Sequence, residues 1–493
     1  MVKLLSRRTF LISGGVLAGA AVTGLAVGVG YLGSLDLEGL APMPGPDGKM
    51  MFNAFVTIDG DGTVRALVPR TEMGQGVYTG LATLLAEELE VDPAKIEVSH
   101  PVRELPCYGN YTLLLETRPE DISGPLQWFG QRIFASIPYI GTGGSTSIQD
   151  GWTQYRVAGA SAREMLISAA AGKWGVERAD CTARAGTVVH GASGRSLGYG
   201  ELAADAVTEK PVTDIALKSP DKFTAIGTDV PRVDIPAKVR GEPVYGIDLM
   251  PDGALYGAVE MAPVFGGRLK GFDEPAARAV KGVVDVTRIG DDTLGVVAAS
   301  WWTARKALEA AAPKFDDGPN AAASSASVTR ALEDALDAGA FHVREEAGDV
   351  SAAKGEAIAA RYATPPATHL CMEPQNATAL WNDDGRLELW ASSQSPIVMR
   401  WGGQRGVELA GKSAKSVTDH VTVTGGGFGR RSEFDVYLQA SALAARNPGK
   451  PVKLIWTREQ DVSRGTYRSP AVIDLTAKLG PDGLPAAFTA RAA

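Results

Sequence analysis

The sequence predicts an α+β protein whose strands run into glycine-rich turns that open into helices. Three observations carry that prediction. The alternating stretches Phe55-Val56-Thr57-Ile58 and Val64-Arg65-Ala66-Leu67-Val68 flank the turn Asp59-Gly60-Asp61-Gly62 and read as a β-hairpin. Glycine-rich turns at 74–76, 141–144 and 425–429 each precede a segment of helical periodicity. Residues 239–315 mix strand-like and helix-like stretches and read as an α/β unit of their own.

The remaining elements follow in order. After the hairpin, Val77, Leu81, Leu84, Leu85 and Leu89 recur at helical spacing until Asp92-Pro93 stops them. GTGGSTSIQDGW, from 141, leads into a helix with the apolar stripe Tyr155, Ala158, Ala162, Met165, Leu166 and Ala169. A change of composition from Lys210 to Asp229 marks a boundary. Beyond it, Tyr245–Asp248, Leu255–Val259 and Gly295–Ala298 read as strands and Trp301–Ala311 as a helix. The Ala- and Ser-rich stretch Asn320–Ser327 reads as a linker. Leu387–Pro396 is strand-like, and His420–Thr424 is the strand that enters TGGGFGRR. A helix from about Ser432 to Arg446 and a strand at Val452–Trp456 follow. The chain thus divides into a targeting segment, 1–36, and three folded parts, 50–209, 222–318 and 335–493.

Composition narrows the function. A hydrophobic content of 45% over 493 residues supports several cores, and a net charge of −8 argues against nucleic acid as a partner. Cys107, Cys181 and Cys371 lie far apart without CxxC spacing, which argues against a disulfide framework, a structural zinc site or an iron–sulfur cluster held by this chain. At the start, Ser6-Arg7-Arg8-Thr9-Phe10-Leu11 matches the twin-arginine export pattern, and a charge-free run extends from Thr9 to Leu35. That run serves either as a cleaved signal or as a retained anchor. Gly28-Val29-Gly30-Tyr31-Leu32-Gly33 spells G-x-G-x-x-G but lies inside this segment, without the strand that a dinucleotide fingerprint needs.

The glycine turns carry the chemistry. A helix N-terminus offers unpaired N–H groups and the positive end of a dipole, and glycine lets a ligand approach the backbone. Gln75, Ser145, Thr146 and Ser147 add side-chain donors. Each turn alone reads equally well as an ordinary cap. Three together point to a large, polyanionic ligand held by several loops. Other motifs read as structure. Gly194-Arg195-Ser196-Leu197-Gly198 spells G-x-S-x-G, yet Ser196 reads as a turn or cap before YGELAADA. His369 and Cys371 would share a face of a strand, where such residues are usually packed. Arg430 and Arg431 suit either a cofactor phosphate or a carboxylate, and Trp301-Trp302 a core or an interface.

EMGQGVYTGLATLLAEELEVD, MEPQNATA, WASSQSP, GGGFGRR and PVKLIWTREQD, taken in this order, are similar to the molybdopterin-binding large subunit of the xanthine dehydrogenase family. The isoquinoline 1-oxidoreductase beta-subunit type, a membrane-associated aldehyde dehydrogenase branch, is the closest in pattern. KVRGEPVYGIDLMPDGALYGAVEMAPVFGG resembles that family's inserted α/β hammerhead domain. The resemblance implies a molybdenum pyranopterin, expected as the cytosine dinucleotide, with no protein side chain ligating the metal. It implies hydroxylation of an N-heterocycle or oxidation of an aldehyde with water as the oxygen source. Electrons would pass to a small [2Fe-2S] subunit, and a membrane cytochrome is allowed as a further partner. Location would be the periplasm, or the membrane facing it.

Residue by residue, Gln394 matches the glutamine that hydrogen-bonds a molybdenum oxygen, and Gly426, Gly427, Phe428 and Gly429 match the loop against the metal's ligands. Gln75 and Gly76, with Gly143, Gly144, Ser145, Thr146 and Ser147, match loops that hold the pterin and its phosphates, and Arg430, directly after Gly429, is expected to bind the cofactor with them. The family's general base is a glutamate in a GxGE-like stretch. No such stretch precedes Ala493, and neither Glu373 nor Glu433 matches it. The alternative expectation is a truncated, catalytically inactive relative.

Overall fold

Alternation of apolar residues forms the expected hairpin: β1 (Val56–Ile58) lies antiparallel to β2 (Val64–Leu67). The structure, a computed structural model, describes residues 31–45, 50–101, 104–116, 121, 123–137 and 139–493. The twin-arginine stretch 6–11 and the first residues of the G-x-G-x-x-G match lie outside the described residues. Two compact units are present, Met1–Gly253 with Asn376–Pro451, and Ala254–Gln375 with Val452–Ala493.

In the first unit, β2 leads through a loop into α1 (Val77–Leu89), and β3 (Glu97–Ser99) returns parallel to β2. The helix α2 (Ser147–Trp174) packs along α1 and stops at Gly175 in a left-handed conformation. The same path then occurs again. β4 (Asn376–Trp381) pairs antiparallel with β5 (Arg386–Ala391), α3 (Pro396–Leu409) crosses over, and β6 (Ser416–Val421) lies parallel to β5. The helix α4 (Asp435–Arg446) follows and packs on α3. A parallel crossover places its loop at the carboxyl end of the preceding strand, where open α/β sheets bind ligands. The loops Thr71–Gly76 and Ser392–Ser395 therefore occupy equivalent places.

Leu81, Leu85 and Leu89 of α1 are buried against Tyr155, Ala158, Ala162 and Leu166 of α2. Each such side chain contributes roughly 1.5–3 kcal/mol relative to exposure. Both helix pairs cross at a glycine: a Cβ on Gly159 would collide with the Leu85 carbonyl, and one on Gly406 with that of Leu438.

In the second unit, Val283–Ile289, Thr293–Ala298 and Leu255–Met261 form an antiparallel row, with Val452–Ile455 parallel to Leu255–Met261. The helix Trp301–Ala311 starts where Ser300 accepts the Thr303 N–H and buries Ala304, Ala307 and Leu308 on this sheet. Glu356–Thr364, Ala471–Leu479 and Pro485–Ala492 make a separate antiparallel sheet. No helix among the described residues is long and apolar enough to cross a membrane.

Four sequence expectations differ from the structure. Asn320–Ser327 is not simply a linker, because Ser324 and Ser327 cap one another and start the helix Ser325–Asp337. Tyr245–Asp248 is a turn with one bridge, Tyr245 to Val423, rather than a strand. The helix after TGGGFGRR begins at Asp435, behind a short 3₁₀ turn at Arg430–Ser432. His369 and Cys371 lie outside any strand, and Leu370 between them has φ 46°, so they share no strand face. Ser196 opens the strand Ser196–Gly198 instead of topping a strand-to-helix elbow, in keeping with its reading as structure.

Candidate functional site

The glycine turns converge in the first unit, and Gln394 is where they join. Its side-chain nitrogen donates to the Thr142 carbonyl at 2.8 Å, and its side-chain oxygen accepts from Gly429 N–H at 2.9 Å. Its backbone N–H donates to the Arg431 carbonyl, and its carbonyl accepts from Thr142 N–H at 2.8 Å. With 3% exposure, this residue is an interior fastening between the 141–147 turn and the 425–431 turn. These neutral bonds are worth about 1 kcal/mol each, and a buried partner left unmade costs more.

The third turn is tied in by Thr71. Its N–H donates to Thr142 Oγ1 at 2.8 Å, and its hydroxyl donates to the Ser393 carbonyl at 2.6 Å. Below it, Arg70 and Asp150 form a buried ion pair of 2.9 Å, and Asp150 also accepts from the Thr112 N–H and hydroxyl. Close contact completes the junction. A Cβ on Gly427 would fall on Met73 Sδ and come within 2.8 Å of Gln394 Oε1. Only glycine fits between the two loops there.

The turns differ in what they offer a ligand. At α2, no side chain caps the first N–H groups, and Gly144 and Ser145 are exposed with φ of 61° and 58°. This end of a 28-residue helix matches the expected anion cradle. The turn before α1 is different. The Glu72 carboxylate accepts the N–H groups of Gly74, Gly76 and Tyr78 at 2.8, 3.1 and 3.2 Å. Gln75 is engaged within its own loop, accepting from Met73 N–H and donating to the Thr71 carbonyl. The donors expected to be open at 74–76 are thus used internally. A cavity of about 670 Å³ lies behind this loop, with Thr71, Glu72, Tyr78, His100, Asp234 and Val423 in its wall. Burial pushes the Tyr78 phenol up to about 12, with help from Glu72 and Asp234, and burial holds the His100 imidazole down at about 4.

In the TGGGFGRR turn, Phe428 is 57% exposed and sits at φ 55°, an unfavourable conformation for an aromatic residue. Arg430 is buried and paired with Asp435 at 3.0 Å, so its charge is directed at the start of α4. Arg431 Nε donates to the Gly426 carbonyl. Among the described residues, no group of three or more His, Cys, Asp and Glu is arranged to hold a metal ion. Sequence reasoning missed Thr71, Glu72, Met73 and Thr142. The acidic residue directly before MGQG was a readable sign of self-capping; the threonines gave none.

Molybdopterin cofactor-binding domain models match residues 19–112 and 334–492. The first range includes Thr71–Gly76 and the second includes Gln394 and the 425–431 turn. The chain is 30% identical over 94% of its length to isoquinoline 1-oxidoreductase subunit beta of Brevundimonas diminuta, covering 61% of that protein. It is 28% identical over 95% of its length to the membrane-bound aldehyde dehydrogenase (pyrroloquinoline-quinone) of Gluconacetobacter polyoxogenes, covering 57% of it. The chain therefore spans about three fifths of the length of these relatives. Among solved structures, quinoline 2-oxidoreductase from Pseudomonas putida 86 aligns with 55% of this chain and 39% of that one, at 20% identity and a TM-score of 0.43.

Proposed function

We propose that this chain, which carries molybdopterin cofactor-binding domains and is homologous over most of its length to isoquinoline 1-oxidoreductase subunit beta and membrane-bound aldehyde dehydrogenase, serves as the cofactor-binding subunit of an oxidoreductase. Its substrate is an N-heterocycle or an aldehyde, and its cofactor a molybdenum pyranopterin in the cytosine dinucleotide form. When bound, that group supplies a two-electron oxidation in which water provides the oxygen.

The convergence of the glycine turns on Gln394 is the observation that carries this reading. The residues present fit the group. The open N–H groups at α2, beside Gly143–Ser147, suit its phosphates. Gln394 keeps a second amide hydrogen beyond the one given to Thr142, and held rigid it would donate in a fixed direction. Gln75 serves to brace its loop, and Arg430 to anchor α4.

Electrons would leave through a separate [2Fe-2S] subunit, with a membrane cytochrome beyond it. The wide separation of the buried, unbridged Cys107, Cys181 and Cys371 supports a cluster held elsewhere. The Ser6–Leu11 pattern supports twin-arginine export to the periplasm, as a soluble or anchored protein. The test is direct. Protein purified from a host that makes the cytosine dinucleotide should contain near-stoichiometric molybdenum and release CMP on acid hydrolysis. Absence of both molybdenum and extractable pterin overturns the reading, and molybdenum without CMP overturns only the dinucleotide form.

A further inference from the structure

We propose that Arg232 is a positioning residue that holds the 72–76 turn against Gly427 by clamping Glu72 and Gly74 from outside the loop. Its Nη1 donates to the Gly74 carbonyl at 2.7 Å, and its Nη2 meets Glu72 Oε1 at 3.1 Å. Glu72 is 5% exposed and already gathers three backbone N–H groups, so Arg232 neutralises a buried carboxylate on which the turn is folded. Between the two clamped residues lies Met73, whose sulfur fills the space beside Gly427. Freedom at Glu72 and Gly74 is freedom at that contact.

Arg232 is itself held. Asp234 takes its Nε and Nη2 at 3.0 and 2.7 Å, and Val233 N–H donates to Thr79 Oγ1 of α1. Upstream, Glu87 of α1 accepts the N–H groups of Thr224, Ala225 and Ile226 and pairs with Lys218. The segment 218–234 is a strap fastened along α1 at both ends, and Arg232 is the part that reaches the glycine turn. An arginine suits the two acceptors because its planar fork carries separate donors in a fixed geometry, whereas a lysine offers all its donors from one nitrogen.

The test uses the full-length chain with Arg232→Met and Arg232→Lys. Oxidation of Met73 by dilute hydrogen peroxide, followed by peptide mass spectrometry, reads the loop directly. Buried Met165 and Met399 and exposed Met372 serve as slow and fast references. With Arg232→Met, Met73 should oxidise several-fold faster while Met165 and Met399 stay slow, and Arg232→Lys should fall between. The melting temperature should fall by no more than a few degrees, because the Arg232 side chain is one-third exposed and the Glu72 carboxylate keeps its three backbone N–H donors. A general structural role would instead lower the melting temperature and speed all buried methionines together, which overturns the proposal. So does an unchanged Met73 rate in Arg232→Met. The consequence for ligand rests on the cofactor reading: molybdenum retained through gel filtration should drop several-fold in Arg232→Met and recover partly in Arg232→Lys. If the unaltered protein holds no molybdenum, that reading fails, and the oxidation rates still decide the role of Arg232.

Discussion

Gly427 faces Met73 so closely that the glycine hydrogen stands where any side chain would meet the sulfur. The contact joins a turn that follows β2 to one that follows β6, and Gln394 closes it from the side. The two loops are also tied through Thr71, Thr142 and Gln394, so small changes here should be read out in the site before they are read out in the fold.

Gly427→Ala is the sharpest case. The added methyl must displace Met73 or Gln394, and Gln394 is fixed at both ends of its amide. Overpacking of this kind costs about 1–3 kcal/mol. Urea denaturation should show that loss, and adding Met73→Ala should recover part of it by opening the space. Equal stability of Gly427→Ala and the native chain contradicts the packing described.

Thr142→Val keeps the shape and removes the oxygen that accepts Thr71 N–H. Thr71 is buried, so its donor is left unsatisfied, at about 1–3 kcal/mol. Thr142→Ser should retain most of the stability, since the hydroxyl remains. Paired chemical denaturation of the two variants checks this.

Asp150→Ala strands the buried Arg70 guanidinium and frees two Thr112 donors. Removal of one partner of such a pair costs about 3–5 kcal/mol. The double change Arg70→Met with Asp150→Leu should be less damaging than Asp150→Ala alone, measured by calorimetry. A milder Asp150→Ala would show that the pair is not a keystone of this loop base.

The strap has a pH signature. Burial pushes the Glu87 carboxyl up, but the hydrogen bonds from Ala225, Lys218, Ile226 and Thr224 outweigh it and lower the pKa from 4.5 to about 2. A depressed acid stabilises the folded state above its unfolded pKa and loses that contribution as pH falls through the folded value. Attachment of residues 218–226 should therefore be complete above about pH 4.5 and weaken toward pH 2, a span worth roughly 3 kcal/mol. Amide exchange in this segment, compared with Glu87→Gln, is the measurement. A strap whose protection is unchanged by acid, or changes equally in Glu87→Gln, argues against Glu87 as its anchor.

Much of the architecture was legible because it rests on local rules. The β1–β2 hairpin follows from alternation and an Asp-Gly turn, and α1 from leucine spacing stopped at Asp92-Pro93. Trp301–Ala311 was bounded correctly because Ser300 is a strong cap before a clear apolar face. α3 was missed, since PIVMRWGGQRGVEL carries glycines that weaken a helix in isolation and are tolerated because α4 must come close. The Tyr245–Asp248 turn was misread as a strand because its apolar residues mimic alternation without a partner ladder.

By itself, the sequence determined that glycine turns precede helices at three places and that their motifs match molybdopterin-binding proteins. A turn's composition is a local property, written in consecutive residues. Which turn remains open was decided only by the tertiary structure. Glu72 closes the α1 turn with help from Arg232, and α2 keeps its first donors uncapped. Hydrogen bonds saturate, so whether a donor is available depends on every group within reach of it; Glu72 sits beside its turn in the sequence, but Arg232, which holds it, lies far along the chain.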